Sequence, residues 1–267
     1  MKRTCIFCGK DDLTKEHVLP KWLQKYFGPA AGGLHVISKR DSDPITFNDK
    51  AFARTARIVC GGCNSGWMSL LEAETEKLLG PLVTGPGIGG TLSLEQQAIL
   101  ARWAAKTLIV LEYAGNEKDN HIPIVIPNRL YSLHALLPEL TIYMGFRKEA
   151  YGEGGKHAAG YVVQSPTTVM CKPEHRKLMR VTKTDEKKIF SVALVLGHVY
   201  FYMLGTDIPD GYVFLHPKED QYLTELWPNH PEGSIVWPNT SPIELKGNWD
   251  EITTELNKKT AIDFYKT

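Results

Sequence analysis

The amino-acid sequence predicts an α+β protein with a small amino-terminal module, residues 1–84, and a larger α+β domain with an antiparallel sheet, residues 92–267. Two observations predict this organisation. Four of the five cysteines form two CxxC pairs in the first 63 residues, and the later chain alternates strand-like segments with one strongly patterned helix. Between the two parts, Thr84–Thr91 contains four glycines and one proline, which predicts a linker.

The composition is that of a globular protein. The 267 residues are 43% hydrophobic and 23% charged, which excludes a disordered chain, and no apolar run approaches the roughly 18 residues of a membrane span. The first residues, Met1–Cys5, form no targeting leader, so we expect a cytoplasmic protein. The net charge is +1, but residues 1–70 carry 11 basic and 6 acidic side chains, an excess compatible with a polyanionic partner.

The cysteine spacing predicts a structural zinc site. Cys5 and Cys8 form one CxxC knuckle, Cys60 and Cys63 form the second, and Cys171 stands alone. Four thiolates at about 2.3 Å satisfy tetrahedral zinc, whereas a disulfide framework is not expected in a reducing compartment. The alternatives are a thioredoxin-type redox pair, which lacks its βαβ context, and four unrelated cysteines.

The segment between the knuckles carries residues with catalytic chemistry. An acid and an imidazole, Glu16 and His17, precede Val18-Leu19-Pro20, and Asn64 directly follows the second knuckle at the start of a helical pattern. A carboxylate and an amide oxygen suit Mg²⁺ or Mn²⁺, and a neutral histidine can accept a proton from water. The simpler interpretation is a solvent-facing Glu-His loop and an asparagine that caps a helix.

In this order of motifs, residues from Cys5 to Leu79 resemble the HNH nuclease family in its four-cysteine variety, also called ββα-metal or treble-clef nucleases. The resemblance implies a zinc-bound ββα fold and an endonuclease that hydrolyses phosphodiester bonds of DNA. It further implies that Glu16 and Asn64 hold one catalytic Mg²⁺ or Mn²⁺ ion and that His17 activates water. Neighbouring residues of a strand point to opposite faces, so we expect a bulge at Glu16 and His17.

Several basic residues of this region are candidates for contacts with the nucleic-acid backbone. They are Lys21, Lys39, Arg54 and Arg57. His35 is a further candidate for a phosphate contact.

Beyond the linker, Ser93 and Gln96 fit a capping box that opens a core helix running towards Gly115. Patterning predicts a short helix over Asn128–Leu137 and a final helix near Trp249–Lys258. A hairpin is expected at Gly197-His198. The predicted strands are His121–Ile126, Thr141–Phe146, Ala158–Gln164, Leu178–Thr182, Ile189–Leu196 and Val199–Leu204.

Residues 92–267 contain no catalytic constellation, and their role in target recognition, in a homodimer or in partner binding stays open. An alternative to the nuclease is a catalytically inactive zinc-dependent module that binds nucleic acid or protein. Its best support is Arg54–Val59, which lacks the asparagine that the family usually carries before the second knuckle. An enzyme formed by residues 92–267 is a third hypothesis without a motif.

Overall fold

The structure is a computed structural model, and it describes the chain in thirteen segments. The described residues are 3–27, 33–39, 49–50, 52–85, 90–115, 120–147, 157–164, 169–170, 189–206, 211–215, 223–228, 233–238 and 262–266.

The amino-terminal region is built on an antiparallel strand pair that leads into a helix. Strand β1 (Leu13–His17) pairs with β4 (Thr55–Cys60). The elements between them are a 3₁₀ turn (Lys21–Leu23), α1 (Gln24–Phe27), β2 (Gly33–Lys39) and β3 (Asp49–Lys50). After β4 follow α2 (Gly61–Cys63), a π-helical turn (Asn64–Met68) and α3 (Ser69–Thr84).

The later region contains two helices and ten strands among the described residues. The helices are α4 (Leu94–Tyr113) and α5 (Val125–Ser132). The strands are β5 (Gly90–Leu92), β6 (Leu140–Phe146), β7 (His157–Gln164), β8 (Val169–Met170), β9 (Ile189–Leu196), β10 (Val199–Thr206), β11 (Gly211–Leu215), β12 (Leu223–Trp227), β13 (Ile235–Trp237) and β14 (Ile262–Lys266).

The largest sheet has seven strands in the order β12-β6-β10-β9-β7-β2-β3. Its pairings are antiparallel except that of β2 with β7, which is parallel. Smaller sheets are β11-β14-β8, β13-β5 and β1-β4. The predicted α+β class with an antiparallel sheet and an amino-terminal cysteine cluster is therefore confirmed at this level.

Helix α4 forms the centre of the hydrophobic core. Ser93 accepts a hydrogen bond from the backbone N–H of Gln96, whose side chain accepts one from the Ser93 backbone, so the predicted capping box is present. Every residue from Trp103 to Tyr113 is buried. The Trp103 ring lies 6.1 Å from Trp22 and 5.7 Å from Phe201, which joins the amino-terminal region to the large sheet.

The two predicted domains thus share one continuous core. Strand β2, from the segment between the cysteine knuckles, also pairs with β7 of the later region. The boundary between residues 84 and 92 stays a prediction. Residues 86–89 of the predicted linker lie outside the described part, and Gly90 already belongs to β5.

The hairpin between β9 and β10 turns at Gly197 and His198, as predicted. Gly197 has φ +54°, a left-handed conformation that favours glycine. A Cβ atom at this position would lie 2.2 Å from the Val83 carbonyl oxygen. The turn therefore packs directly on the carboxyl end of α3, where no side chain fits.

The predicted strand His121–Ile126 is wrong, because this segment is anchored to α4 instead of a sheet. The His121 backbone N–H donates to Glu112 Oε1 at 2.6 Å, and the Tyr113 hydroxyl donates to the Ile122 carbonyl at 2.7 Å. The short helix predicted next begins and ends earlier, over Val125–Ser132. The segments Leu178–Thr182 and Trp249–Lys258 lie outside the described residues.

Candidate metal centre and polar site

The first cysteine knuckle is a tight turn closed by backbone hydrogen bonds. The Gly9 N–H donates to the Cys5 carbonyl at 2.9 Å, and the Cys5 N–H donates to the Lys10 carbonyl at 2.7 Å. Gly9 has φ +76°, which a residue with a side chain rarely adopts. This turn brings the Cys5 and Cys8 thiols to the same side of the backbone.

The second knuckle joins the end of β4 to the start of α2. The Cys63 N–H donates to Cys60 Sγ at 3.4 Å, so a thiol caps the helix. A backbone hydrogen bond of 3.0 Å from the Ile6 N–H to the Ile58 carbonyl holds the two knuckles together. The contact between the two knuckles therefore joins residues more than 50 positions apart in the chain.

The four knuckle thiols form one compact cluster. All four Sγ atoms lie within 4.8 Å of one another, and Cys8 Sγ lies 3.3 Å from Cys60 Sγ. A tetrahedral zinc ion with bonds of about 2.3 Å separates its sulfur ligands by about 3.8 Å. The four cysteines are free thiols. Cys5, Cys8, Cys60 and Cys63 could therefore hold a metal ion such as zinc.

Burial disfavours thiolates in this cluster unless a cation is present. It raises the pKa of the Cys8 thiol and raises that of Cys63 strongly. Burial also acts to raise the pKa of Cys60, but hydrogen bonds from the Cys63 backbone and the neighbouring thiols outweigh it and the pKa is lowered. A divalent cation stabilises the thiolate form of all its ligands, which is the chemistry this donor set fits.

The Glu16-His17 pair lies at the end of β1, next to an irregularity of the strand pair. Arg57 and Ile58 of β4 together stand opposite Lys15, so the extra residue of the expected bulge is on β4 and not at Glu16-His17 itself. Glu16 is 6% exposed, whereas His17 is half-buried. The two neighbouring side chains therefore have different surroundings.

Glu16 belongs to a buried ion cluster with Glu72 of α3 and Lys106 of α4. Lys106 Nζ lies 2.6 Å from Glu72 Oε1, and the Lys106 side chain is 2% exposed. Burial raises the pKa of Glu16 to about 7, with Lys106 opposing the rise and Glu72 adding to it. Because burial outweighs the attraction of the Lys106 ammonium, Glu16 remains partly protonated at neutral pH.

His17 lies beside this cluster. Burial and the Lys21 ammonium lower its pKa, and the Glu72 carboxylate opposes that shift. At pH 7 the imidazole is therefore predominantly neutral and can accept a proton. The Glu72 carboxylate therefore acts to raise the pKa of both members of the predicted catalytic pair.

Asn64 does not cap the helix. It has helical φ and ψ angles, and its side-chain amide donates to Thr14 Oγ1 at 3.3 Å. Thr14 lies two residues before Glu16 on β1, and alternate residues of a strand share a face. Asn64 thereby links the start of the second helical segment to the strand that carries the Glu-His pair.

The four predicted basic contacts differ in their surroundings. Arg54 donates to the Ala114 carbonyl at 3.2 Å and so ties β4 to the end of α4. Lys21 and Arg57 are exposed. Lys39 ends β2, and its side chain lies outside the described part, as does that of His35.

Sequence reasoning missed Glu72 and Lys106. Glu72 lies in the first turn of α3, and Lys106 is the one basic residue in the buried run from Trp103 to Tyr113 of α4. A lysine within a run of buried residues is itself a signal, since a buried ammonium needs a partner. Only the packing of α3 on α4 identifies that partner.

No family model, curated protein or solved structure matches this chain. In the described part of the chain, the four cysteines are the one group of three or more His, Cys, Asp or Glu side chains close enough to share an ion. None of the described helices has the length and apolarity needed to cross a membrane.

Proposed function

We propose that this chain is a metal-dependent endonuclease of the HNH type that hydrolyses phosphodiester bonds of DNA. The observation that carries the proposal is the half-buried His17, which has a lowered pKa and lies beside the Glu16 and Glu72 carboxylates on a strand pair next to the four-thiol cluster. A strand pair followed by a helix at the second knuckle agrees with a treble-clef module. The four free thiols suit a reducing compartment, which supports a cytoplasmic location.

In this proposal zinc has a structural role. Cys5, Cys8, Cys60 and Cys63 would hold it, and the ion would keep the first knuckle against the strand that ends at Cys60. The segment from Cys5 to Asn64 has a limited core of its own, so a metal cross-link stabilises the position of β1 relative to α3.

His17 is the proposed general base. Its neutral form prevails at pH 7, so it can take a proton from a water molecule that attacks phosphorus. The exposed Lys21 ammonium, which contributes to the lowered pKa, also favours the approach of an anionic phosphate. Glu72 would orient the imidazole and stabilise the imidazolium that forms.

A catalytic Mg²⁺ or Mn²⁺ ion is part of the proposal, with Glu16 and Asn64 as its protein ligands. Such an ion relieves negative charge on the phosphate and retains several water ligands, so a few protein oxygens suffice. Glu72 is an additional acidic residue of this chain that can contribute to the same site.

The buried ion cluster favours a second candidate, the inactive zinc-dependent binding module. Lys106 already supplies a positive charge between α3 and β1, and Glu16 is nearly inaccessible to water. A carboxyl group in this environment can have a structural role without binding a catalytic ion. The fold would then present a nucleic-acid or protein-binding surface without hydrolysis.

The test is cleavage of plasmid and single-stranded DNA by the zinc-loaded protein, with and without Mg²⁺ or Mn²⁺. We expect ion-dependent cutting that falls by about 10²- to 10⁴-fold in His17→Ala, as for loss of a general base. His134→Asn is the matched control, because His134 is exposed and its φ of +50° is one that asparagine tolerates. It should cut like the wild type.

The two candidates give different results in this assay. Equal cutting by His17→Ala and the wild type would refute the role of His17. The binding module would be favoured if the wild-type protein retains its zinc and binds DNA but does not cut DNA, whichever divalent ion is added.

A further inference from the structure

A cleft of about 490 Å³ lies beside the first knuckle, β4 and the connection between α4 and α5. Its apolar wall includes Ile6, Ile58, Ile122 and Ile124. Ile124 is 52% exposed, so it presents apolar surface to the cleft. The cleft belongs neither to the thiol cluster nor to the buried ion cluster.

Two arginine side chains line the cleft. Arg3 and Arg57 both line it and both are exposed. Within the described residues Arg57 has no hydrogen-bond or ion-pair partner, and it belongs to the bulge of β4. Arginine groups at the edge of a pocket recognise phosphate or carboxylate through paired N–H donors.

The remaining lining is weakly polar. The Tyr113 hydroxyl is engaged with the Ile122 carbonyl at 2.7 Å, so this aromatic residue does not offer its hydroxyl as a free donor to a ligand. Thr4 and Asn120 add a hydroxyl and an amide that can hydrogen-bond the edge of a base. A nucleotide combines these properties, with an anionic phosphate attached to a planar base.

We propose that this cleft binds an unpaired nucleotide of the nucleic acid, next to the phosphate that His17 faces. The inference rests on the proposed nuclease function and extends it to single-stranded or unpaired substrates. His17 is the partner of Thr55 across the strand pair, and Arg57 lies two residues further along β4, in the bulge. A strand that places one phosphate at His17 therefore passes Arg57, and a base reaches the apolar wall only when it is unstacked.

The test is fluorescence anisotropy with a labelled single-stranded oligodeoxynucleotide and the blunt duplex of the same sequence. The zinc-loaded protein is used without added divalent ions, so that no cutting occurs. We expect tighter binding of the single strand than of the duplex. Arg57→Ala should weaken single-strand binding about tenfold and lower the slope of log affinity against log salt by about 0.7, the loss of one phosphate contact.

Two control variants distinguish a specific effect of the cleft from general effects on charge and stability. Val125→Ser is the control for Ile124→Ser, and Lys77→Ala is the control for Arg57→Ala. Ile124→Ser should weaken binding about threefold without changing the salt slope, whereas Val125→Ser, an adjacent residue that is 45% exposed but outside the cleft, should bind normally. Lys77→Ala removes one exposed positive charge on α3, away from the cleft, and should also bind normally.

Wild-type affinity in Arg57→Ala and Ile124→Ser, or no preference for the single strand, would refute nucleotide binding by the cleft. Neither result would contradict the proposal that the protein cuts DNA. Equal competition by inorganic phosphate and by a nucleoside monophosphate would exclude a bound base. Binding that depends on the cleft in a protein that never cuts would support the cleft and refute the nuclease.

Discussion

Replacement of Glu16 by glutamine tests the buried ion cluster through the pH dependence of stability. The folded protein raises the pKa of Glu16 from its ordinary value of 4.5 to about 7, chiefly through burial. Below pH 4.5 the carboxyl is neutral in both the folded and unfolded states. As the pH rises towards 7, the unfolded chain releases this proton first, so unfolding becomes more favourable.

The difference between 4.5 and about 7 corresponds to about 3 kcal/mol, fully expressed above pH 7. Glu16→Gln keeps the size of the side chain and removes the ionisation. Relative to the wild type, the variant should therefore gain about 3 kcal/mol of unfolding free energy between pH 4.5 and pH 8. The Lys106–Glu72 ion pair remains in the variant and balances its own charge.

The assay is urea unfolding followed by tryptophan fluorescence at pH 5.5, 6.5 and 8, with zinc bound and no other divalent ion. Glu74→Gln is the control, because Glu74 is an exposed glutamate of the same helix as Glu72, and its effect should stay within about 0.5 kcal/mol at every pH. A stability difference between Glu16→Gln and the wild type that does not change with pH would refute the reasoning. Added Mg²⁺ should stabilise the wild type but not Glu16→Gln if Glu16 is a ligand of the catalytic ion.

Three further variants test the metal centre, the hairpin and the ion cluster. Cys60→Ser should reduce zinc from about one equivalent per chain to near zero by elemental analysis and lower the melting temperature, whereas full zinc retention would contradict a four-thiolate site. Gly197→Ala should lower the unfolding free energy by more than about 2 kcal/mol in urea, because φ is +54° and the new Cβ meets a carbonyl. Gly233→Ala, with φ +83° and open space around its Cβ, should cost only about 1 kcal/mol, and equal losses would exclude the clash. Lys106→Met should cost about 1–3 kcal/mol at pH 8 by urea unfolding, because the partly buried Glu72 carboxylate loses its partner, and a neutral effect would show that water solvates this carboxylate.

Sequence spacing could predict the parts of this protein that depend on near neighbours. Two CxxC pairs predict two knuckles because each turn closes over three residues, and the fold brings all four thiols together. The Ser93 capping box and the Gly197 hairpin are equally local, and both are present. The strand prediction at His121 was wrong because Glu112 of α4 accepts a hydrogen bond from this segment. The apolar pattern of residues 121–126 gives no indication of that contact.

The sequence alone could select only some residues of the candidate site. Glu16, His17 and Asn64 carry a recognisable order of residues, so the sequence alone selected them. Tertiary structure decided the charge state of that site, because Lys106 and Glu72 approach Glu16 only when α3 packs on α4. Burial depends on what covers a residue, and Glu16 is covered by elements that lie far from it in the chain. The cleft has the same origin, since Arg3, Arg57 and Ile124 become neighbours only through folding. Local geometry is fixed by adjacent residues, whereas the dielectric and the charges around a side chain are set by the whole fold.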